Sequence, residues 1–597
     1  MKNNHFCTRG VVEILRRLRR SKAGNTLAMV AAGLVPLTAM IGSGVDMSRA
    51  YMVQSRLQQA CDAGVLAGRK AMADGDYTSA AQGVAEDYFD VNFPTDYLDT
   101  TNRSFTTSNP SGGSTVVGNA SVRVPTVVMS MFSIDDLNIS VACTAQLEIS
   151  NSDITFVLDT TGSMACPENA DTTQCQGYIN THGVVEGRSY SSLSTTSRMQ
   201  ALKDAMDGFY GVIDTAAASS GARIRYAFVP YAQTVNVGYL LPPSYIVDEH
   251  AYESMERVWV EEDVTEYFRS RDSRYTSNCS GFYGSWPGFR VYGRYDASYG
   301  GCIWDHDFGS FWQNRFQEVI HDTDVYKTGT PVRDPTGRTS NDFTWAGCIE
   351  ERDTVGSSSI TFNAGSSTFS PAGLHDLDID SAPTSDATKW RPYWPEIVFR
   401  RSYNTTSSTS ASFPQVNCPY NSELLAEYTT LNDFQTYHGN LSPDGGTYHD
   451  IGLTWGARLS SPDGIFSSNV NEAPSNSGYV GRHLIWMTDG VLDPSDSAYA
   501  SHGVERHDGR ITGVTTGTNS AAYASHATNR TTRYKEMCKA IKAKGIRLWV
   551  VAFNTALTTD LTECASANSS FVANNATELG QRFAAIAEQI AELRLTE

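Results

Sequence analysis

The sequence predicts an α/β protein. Its mainly parallel sheet lies between helices and is interrupted by a large β-rich insertion. A transmembrane helix and a small helix-plus-sheet module precede it. Three observations predict this. Residues 26–45, "TLAMVAAGLVPLTAMIGSGV", carry no charge. After residue 150, apolar runs such as "DITFVLD" and "IRLWVVAFN" alternate with segments whose apolar residues recur three and four apart. Between about 232 and 441 that alternation stops.

The N-terminal end is basic: Lys2, Arg9, Arg16, Arg17, Arg19, Arg20 and Lys22 stand against one acid, Glu13. At about 1.5 Å per residue the uncharged run spans a hydrocarbon core of about 30 Å. The basic flank predicts a cytoplasmic segment at 1–24, a transmembrane helix at 25–47 and everything beyond outside. A cleaved signal peptide is the rival, but its apolar region is shorter, about 7–15 residues. Here the run passes straight into a helical pattern through Met47, Tyr51, Leu57, Ala60, Val65 and Leu66.

Residues 48–150 form the small module. "SRLQQACDAGVLAGRKAMA" continues the helix with an apolar face. "STVVGNASVRVPTVVMSMF" and "LNISVACTAQLEIS" alternate as half-buried strands do. A long helix packed on a small antiparallel sheet is a pilin-like plan.

Residues 151–597 form the α/β domain, with insertions at about 165–196 and 232–441. "DITFVLD", "ARIRYAFVPYA", "RHLIWMTDG" and "IRLWVVAFN" read as strands. Helices are expected at "SRMQALKDAMDGFYGVIDTAA", across 445–460, at "RYKEMCKAIKAKG" closed by Gly545, and at "TELGQRFAAIAEQIAELRL". Such alternation means a parallel sheet covered on both faces. The larger insertion holds seven tryptophans, Trp259, Trp286, Trp304, Trp312, Trp345, Trp390 and Trp394, expected to form its core. Residues 495–528 read as a polar loop.

Composition limits the function. With 597 residues, two to four domains are expected. A net charge of -19 argues against nucleic acid as a partner. Of eleven cysteines, only Cys7 precedes the apolar run, and no C-x-x-C pair occurs. Disulfides in an oxidising compartment follow, rather than zinc or thioredoxin chemistry. The sequence does not fix connectivity. Proximity suggests Cys166–Cys175, Cys279–Cys302, Cys348–Cys418 and Cys538–Cys564, leaving Cys61 with Cys143.

Three segments point to one rim. Asp159, Thr161 and Ser163 follow the first strand of the domain in "LDTTGS". Thr447 stands in "DGGT" before a helix. Asp489 ends "HLIWMTD". A parallel sheet delivers strand ends to its carboxyl edge, where ligands bind. Hydroxyls and carboxylates suit hard divalent cations.

"DTTGS…GGT…TDG" resembles the metal-ion-dependent adhesion site of von Willebrand factor A domains. The resemblance implies a metal site of Asp159, Thr161, Ser163, Thr447 and Asp489. It implies Mg²⁺, or Ca²⁺ or Mn²⁺, with hydroxyls binding directly and aspartates often through water. An open coordination position then takes an acidic side chain of a partner protein. The N-terminal stretch is similar to TadG-type proteins of the bacterial Tad (Flp) pilus system, matching at Asp46, Leu57, Gln58, Ala60, Asp62 and Ala63. That implies pilus or envelope partners. It also implies an anchor in the bacterial inner membrane, with the bulk of the chain in the periplasm or outside the cell.

Two rival readings share the residues. "DTTGS" also resembles the Asp-Lys-Thr-Gly-Thr of phosphoaspartate enzymes, where the first aspartate is a nucleophile. Here position 160 is Thr, and Thr488-Asp489-Gly490 lacks a second acid. The expected protein is therefore not an enzyme. A metal-independent structural pseudopilin is the other reading. His449 and Asp450 are expected to face solvent, as are Asp493 and Asp496.

Overall fold

The computed structural model describes residues 22–72, 77–109, 115–147, 151–220, 222–262, 285–286, 289–290, 293–296, 301–304, 309–401, 410–476, 478–514, 520–591 and 593–596. The basic stretch 1–21, Cys7 and Cys279 lie outside them. The chain divides into two units: 1–149 with 212–221 and 590–597, and 150–211 with 222–589.

In the first unit, helix α1, Lys22–Met72, runs for 51 residues and contains Pro36. Its early part exposes Met29, Val30, Leu34, Leu37, Met40 and Ile41. Further on it buries Val53, Leu57, Ala60, Cys61 and Val65, a stripe three and four residues apart. Helix α2, Ser79–Asn92, is capped by the Thr78 hydroxyl, which accepts from the Ala81 amide at 3.4 Å. Strands β1, Thr101–Ser108, β2, Thr115–Pro125, and β3, Asp136–Leu147, pair antiparallel. The α1 stripe packs on Val116, Ala120, Val122 and Ala145. Gly118 permits that approach: a β-carbon there would lie 2.5 Å from Val65 Cγ1. A Cys61–Cys143 disulfide ties helix to sheet.

A fourth strand, Leu593–Thr596, pairs antiparallel with β3. The expected last helix stops at Ile590, and "LRLT" is strand instead. Alternating leucines fit both patterns over so short a stretch, and pairing with an open strand edge decides between them.

In the second unit, strand β4, Asn151–Asp159, is buried along its whole length. Helix α3, Thr172–His182, lies in the smaller insertion, and α4, Arg198–Ser220, follows it, with its residues from Val212 on counted in the first unit. The remaining strands of the sheet are β5, Ile224–Tyr231, β8, Glu423–Ala426, β9, Val480–Thr488, β10, Arg547–Phe553, and β11, Ser570–Ala573. Strands β6, Glu249–Glu262, and β7, Gly309–Asp322, form a separate long hairpin. The sheet order is β8-β5-β4-β9-β10-β11, parallel except for β8. The sheet is thus mixed at one edge.

Helices cover both faces. On one, Phe156 of β4 meets Phe209 of α4 edge-on at 5.3 Å and Phe583 of α9, Ala576–Ile590, face-on at 6.4 Å. Phe434 of α5, Leu431–Gly439, packs there too. On the other face lies α6, His449–Ser460, every residue of which is buried. It is sandwiched between the sheet and α7, Ser520–Ala543. Short helix α8, Thr559–Cys564, is tied to α7 by Cys538–Cys564.

The larger insertion is not a separate lobe. Buried Glu351 accepts from Trp455 Nε1 at 2.6 Å and from Arg458 Nη1 at 2.8 Å, both on α6. Asp376 pairs with Arg533 of α7 and with His502 at 3.0 Å. Trp345, Trp390 and Trp394 are buried in one core with α6, whereas Trp259 and Trp312 are exposed on the hairpin. Residues 495–528 also depart from the expected polar loop. Tyr499, Ser501, His502, Val504 and Glu505 are buried, and α7 already begins at Ser520. Composition reports polarity, but these polar groups find partners inside, which permits burial. Cys166–Cys175 and Cys348–Cys418 are bonded.

Candidate metal centre

The register of the sheet aligns Asp159 with Tyr231 at the carboxyl edge, where β9 also ends at Thr488. Beyond Asp159 the chain makes one tight turn, Gly162–Ala165. The second loop is stitched to it: Gly162 N donates to Gly445 O at 2.9 Å, and Asp444 N to Thr160 O at 2.9 Å. Gly445 has a left-handed φ of +79°, and a β-carbon there would meet Gln233 Oε1 at 2.6 Å. The third loop is joined by Asp493 N, which donates to Thr447 O at 3.1 Å.

The structure brings Asp159, Thr161, Ser163 and Asp489 into one chain of oxygens. Thr161 donates to Asp159 Oδ1 from its amide at 3.0 Å and from its hydroxyl at 2.7 Å. Ser163 Oγ donates to Asp489 Oδ1 at 2.7 Å. The two hydroxyl oxygens are 3.1 Å apart. Thr447 is buried on the second loop, and among the described residues no hydrogen bond joins its side chain to the other four.

Four residues not anticipated from the sequence complete the rim. Thr488 Oγ1 donates to Asp159 Oδ2 at 2.8 Å, and Tyr231 OH reaches the same oxygen at 3.3 Å. His449 Nε2 lies 3.0 Å from Thr488 Oγ1. Thr488 Oγ1 also lies 3.2 Å from Gly490 O. Burial holds the His449 imidazole down to about 3, so it is neutral. Arg198 Nη1 bonds Asp489 Oδ2 at 2.9 Å with both side chains buried, and Nη2 donates to Ala170 O at 2.7 Å. Tyr231 and Thr488 sit at strand ends, so position could have revealed them. Arg198 carries no such signal: it starts a helix where the smaller insertion returns, its amide bonded to Cys166 O.

His449 and Asp450 are not solvent-facing. Both are buried, and Asp450 pairs with Arg530 at 2.8 Å. Asp493 is exposed, and Asp496 pairs with Arg506 at 3.1 Å.

The charge of Asp159 is poorly matched. Its hydrogen-bond partners are neutral, and burial followed by the nearby Asp489 pushes its carboxyl up to about 7. Among the described residues no three His, Cys, Asp or Glu side chains gather in the manner of a metal site. The rim has two carboxylates, and its remaining oxygens are hydroxyls.

The donor set nonetheless fits a hard cation. With Asp159 ionised, Thr161 gives its one hydroxyl proton to Asp159 and Ser163 gives its proton to Asp489. Either hydroxyl can also donate across the 3.1 Å contact between them; with both protons on the carboxylates, their lone pairs face one space. An octahedron with metal–oxygen bonds of about 2.1 Å has edges of about 3.0 Å.

A comparison with curated proteins finds no match. Among solved structures, the pilus adhesin SpaC from Lactobacillus rhamnosus GG aligns at a TM-score of 0.28 and 11% identity, over 83% of this chain and 34% of that one. Its open conformation aligns at 0.26 and 10% identity, with the same coverage. Proximal thread matrix protein 1 from the mussel byssus gives 0.17 at 11% identity, over 76% of this chain and 98% of that one. This chain thus spans about a third of the adhesin, and scores so low carry no weight for the fold. Residues 24–82 match the family described as putative Flp pilus-assembly TadE/G-like.

Proposed function

We propose that this chain is an envelope-anchored protein of a pilus system. Helix α1 crosses the inner membrane, and the second unit stands in the periplasm or outside the cell. In this reading the second unit is a von Willebrand factor A-type domain. It binds a divalent cation, Mg²⁺ first, at Asp159, Thr161, Ser163, Thr447 and Asp489. The bound cation supplies an open coordination position for a carboxylate of a pilus or envelope partner. No covalent bond is made or broken.

The observation that carries the reading is the Thr161–Ser163 oxygen pair, 3.1 Å apart, with Thr161 Oγ1 also 2.7 Å from Asp159 Oδ1 and Ser163 Oγ 2.7 Å from Asp489 Oδ1. Asp159 and Asp489 orient the two hydroxyls, leaving their lone pairs for the ion. Among the described residues Asp159 also has no cationic partner, a role that a dication fills. Tyr231 and Thr488 hold the outer oxygen of Asp159, so the carboxylate cannot swing away. The TadE/G-like match at 24–82 supports the pilus setting.

One observation favours a second reading. Arg198 already sets a positive charge on Asp489. If the guanidinium is the only cation the rim needs, the second unit is a metal-independent spacer in a structural pseudopilin.

The test is a titration of Mg²⁺, Mn²⁺ and Ca²⁺ into the full chain in lipid nanodiscs after chelation, read as melting temperature. Ion at 100 times its dissociation constant stabilises by about 2.7 kcal/mol. Ser163→Ala removes one direct ligand and leaves both carboxylates, so it should melt as a folded protein and lose the response. An unchanged melting curve for the wild-type chain refutes the metal site and leaves the spacer reading.

A further inference from the structure

Residues 126–135, "TVVMSMFSID", connect β2 to β3. The loop differs from a solvent loop: many of its amides are bonded within the protein and four of its apolar residues are exposed. Val127 is 59% exposed, Met131 82%, Phe132 46% and Ile134 41%. Thr126 N donates to Asp135 O at 3.1 Å, closing the loop. Inside it, Met131 N donates to Val128 O at 3.2 Å, Ser133 N to Ser130 O at 3.0 Å, and Ile134 N to Met129 O at 3.2 Å. The amides of Val127, Val128 and Met129 all donate to the Asp46 carboxylate, at 2.9, 2.9 and 2.7 Å.

Asp46 belongs to α1, so its carboxylate fixes the level of the loop along the helix. Val128 sets the same level, packed so close that a β-carbon on Gly42 would lie 2.0 Å from Val128 Cγ1. At that level α1 exposes Met40, Ile41, Val45, Met47 and, one turn on, Tyr51. Helix and loop therefore present one continuous apolar belt. Asp46, the first charge after the uncharged run, is buried beneath it. Charge resumes at the end of the loop with exposed Asp135, and Asp136 next to it lies 3.6 Å from Arg123 on the neighbouring strand.

We propose that residues 127–134 lie in the outer interface of the membrane that α1 crosses, with Met131 and Phe132 among the acyl chains. Backbone polar groups at that depth need partners within the protein, and Asp46 with the internal turns takes the amides of Val127, Val128, Met129, Met131, Ser133 and Ile134. An apolar patch in water tends to mark a binding face. Its continuity with the exposed side of α1 selects lipid over a protein partner. The anchor then has a second contact, which fixes the rotation of α1 about its axis. The proposal rests on α1 being membrane-spanning.

The experiment places p-benzoylphenylalanine at Met131, at Leu37 inside the apolar run, and at Tyr479, which is 79% exposed in the second unit. Each full-length variant is reconstituted alone into phosphatidylethanolamine–phosphatidylglycerol vesicles and irradiated. Lipid adducts are read by mass spectrometry. The expected result is lipid adducts at 131 and 37, with none above background at 479. Adducts at 37 with 131 at the Tyr479 level overturn the loop proposal and leave the spanning helix standing. Adducts at neither overturn both. Crosslinks from 131 to a second copy of the chain, in place of lipid, also overturn it.

Discussion

Replacing Arg198 with methionine separates the two readings of the rim. The guanidinium lies 2.9 Å from Asp489 Oδ2, and both side chains are buried. At an effective dielectric of about 20 and a charge separation of roughly 4 Å, that attraction is about 4 kcal/mol. Removing one partner of a buried pair costs about 3–5 kcal/mol. The second unit has roughly 430 residues, so at about 2.1 cal/mol/K of unfolding entropy per residue, 1 kcal/mol shifts melting by about 1 °C. Arg198→Met is therefore expected to melt about 3–5 °C below wild type in chelator. Asp489 then lacks its counter-charge, so added Mg²⁺ should restore about 3 °C at 100 times its dissociation constant. At equal ion concentration the restored shift should exceed that of wild type. The assay is tryptophan-fluorescence melting of the full chain in nanodiscs. Equal cation responses in variant and wild type would refute the idea that guanidinium and metal compete for Asp489. Equal melting in chelator would refute the value assigned to the pair.

Three further outcomes are expected. Burial holds His321 down to about 4 against the pull of Asp334. The folded state thus refuses a proton that an unfolded imidazole takes up below about 6.5. Stability should be complete above pH 6.5 and fall toward pH 4, and urea midpoints of His321→Gln should fall less steeply. Gly456→Ala should destabilise, although alanine is favoured over glycine by about 1 kcal/mol in an open helix. Its β-carbon would lie 2.4 Å from Val157 Cγ2, and overpacking costs about 1–3 kcal/mol, so a raised urea midpoint would contradict the close fit of α6 on β4. Serine pairs in place of Cys348–Cys418, 70 residues apart, should cost about 4 kcal/mol, against about 3 for Cys166–Cys175, nine apart. Urea denaturation of the two variants checks the order.

The strands that carry the rim were legible because each is a short apolar run ending on a polar residue. Parallel pairing sends such ends to one edge. Asp159, Thr161 and Ser163 were legible as neighbours in sequence, and Thr447 and Asp489 as the next polar residues at that edge. The burial of His449 and Asp450 was not legible. Helix α6 is enclosed all round, so its polar residues do not mark a wet face. Arg198 was hidden for a different reason: its guanidinium reaches Asp489 across a separation of 291 residues. The packing of the larger insertion was missed because a change of composition marks where alternation ends, not what the intervening chain touches. Glu351 bonding Trp455 and Arg458 is a property of three dimensions only.

The bonds that close the rim also have a consequence in time. Ser163 meets Asp489 across 326 residues, and Asp159 meets Thr488 across 329. Contacts so remote form only after the loop entropy between them has been overcome, which slows folding. A chain emerging in order carries Asp159 into place long before either partner has been made. Until β9 docks, β4 has an open edge and a carboxylate missing its Thr488 partner. In chain order the rim cannot close before β9 is made, and β10 and β11 are made after it.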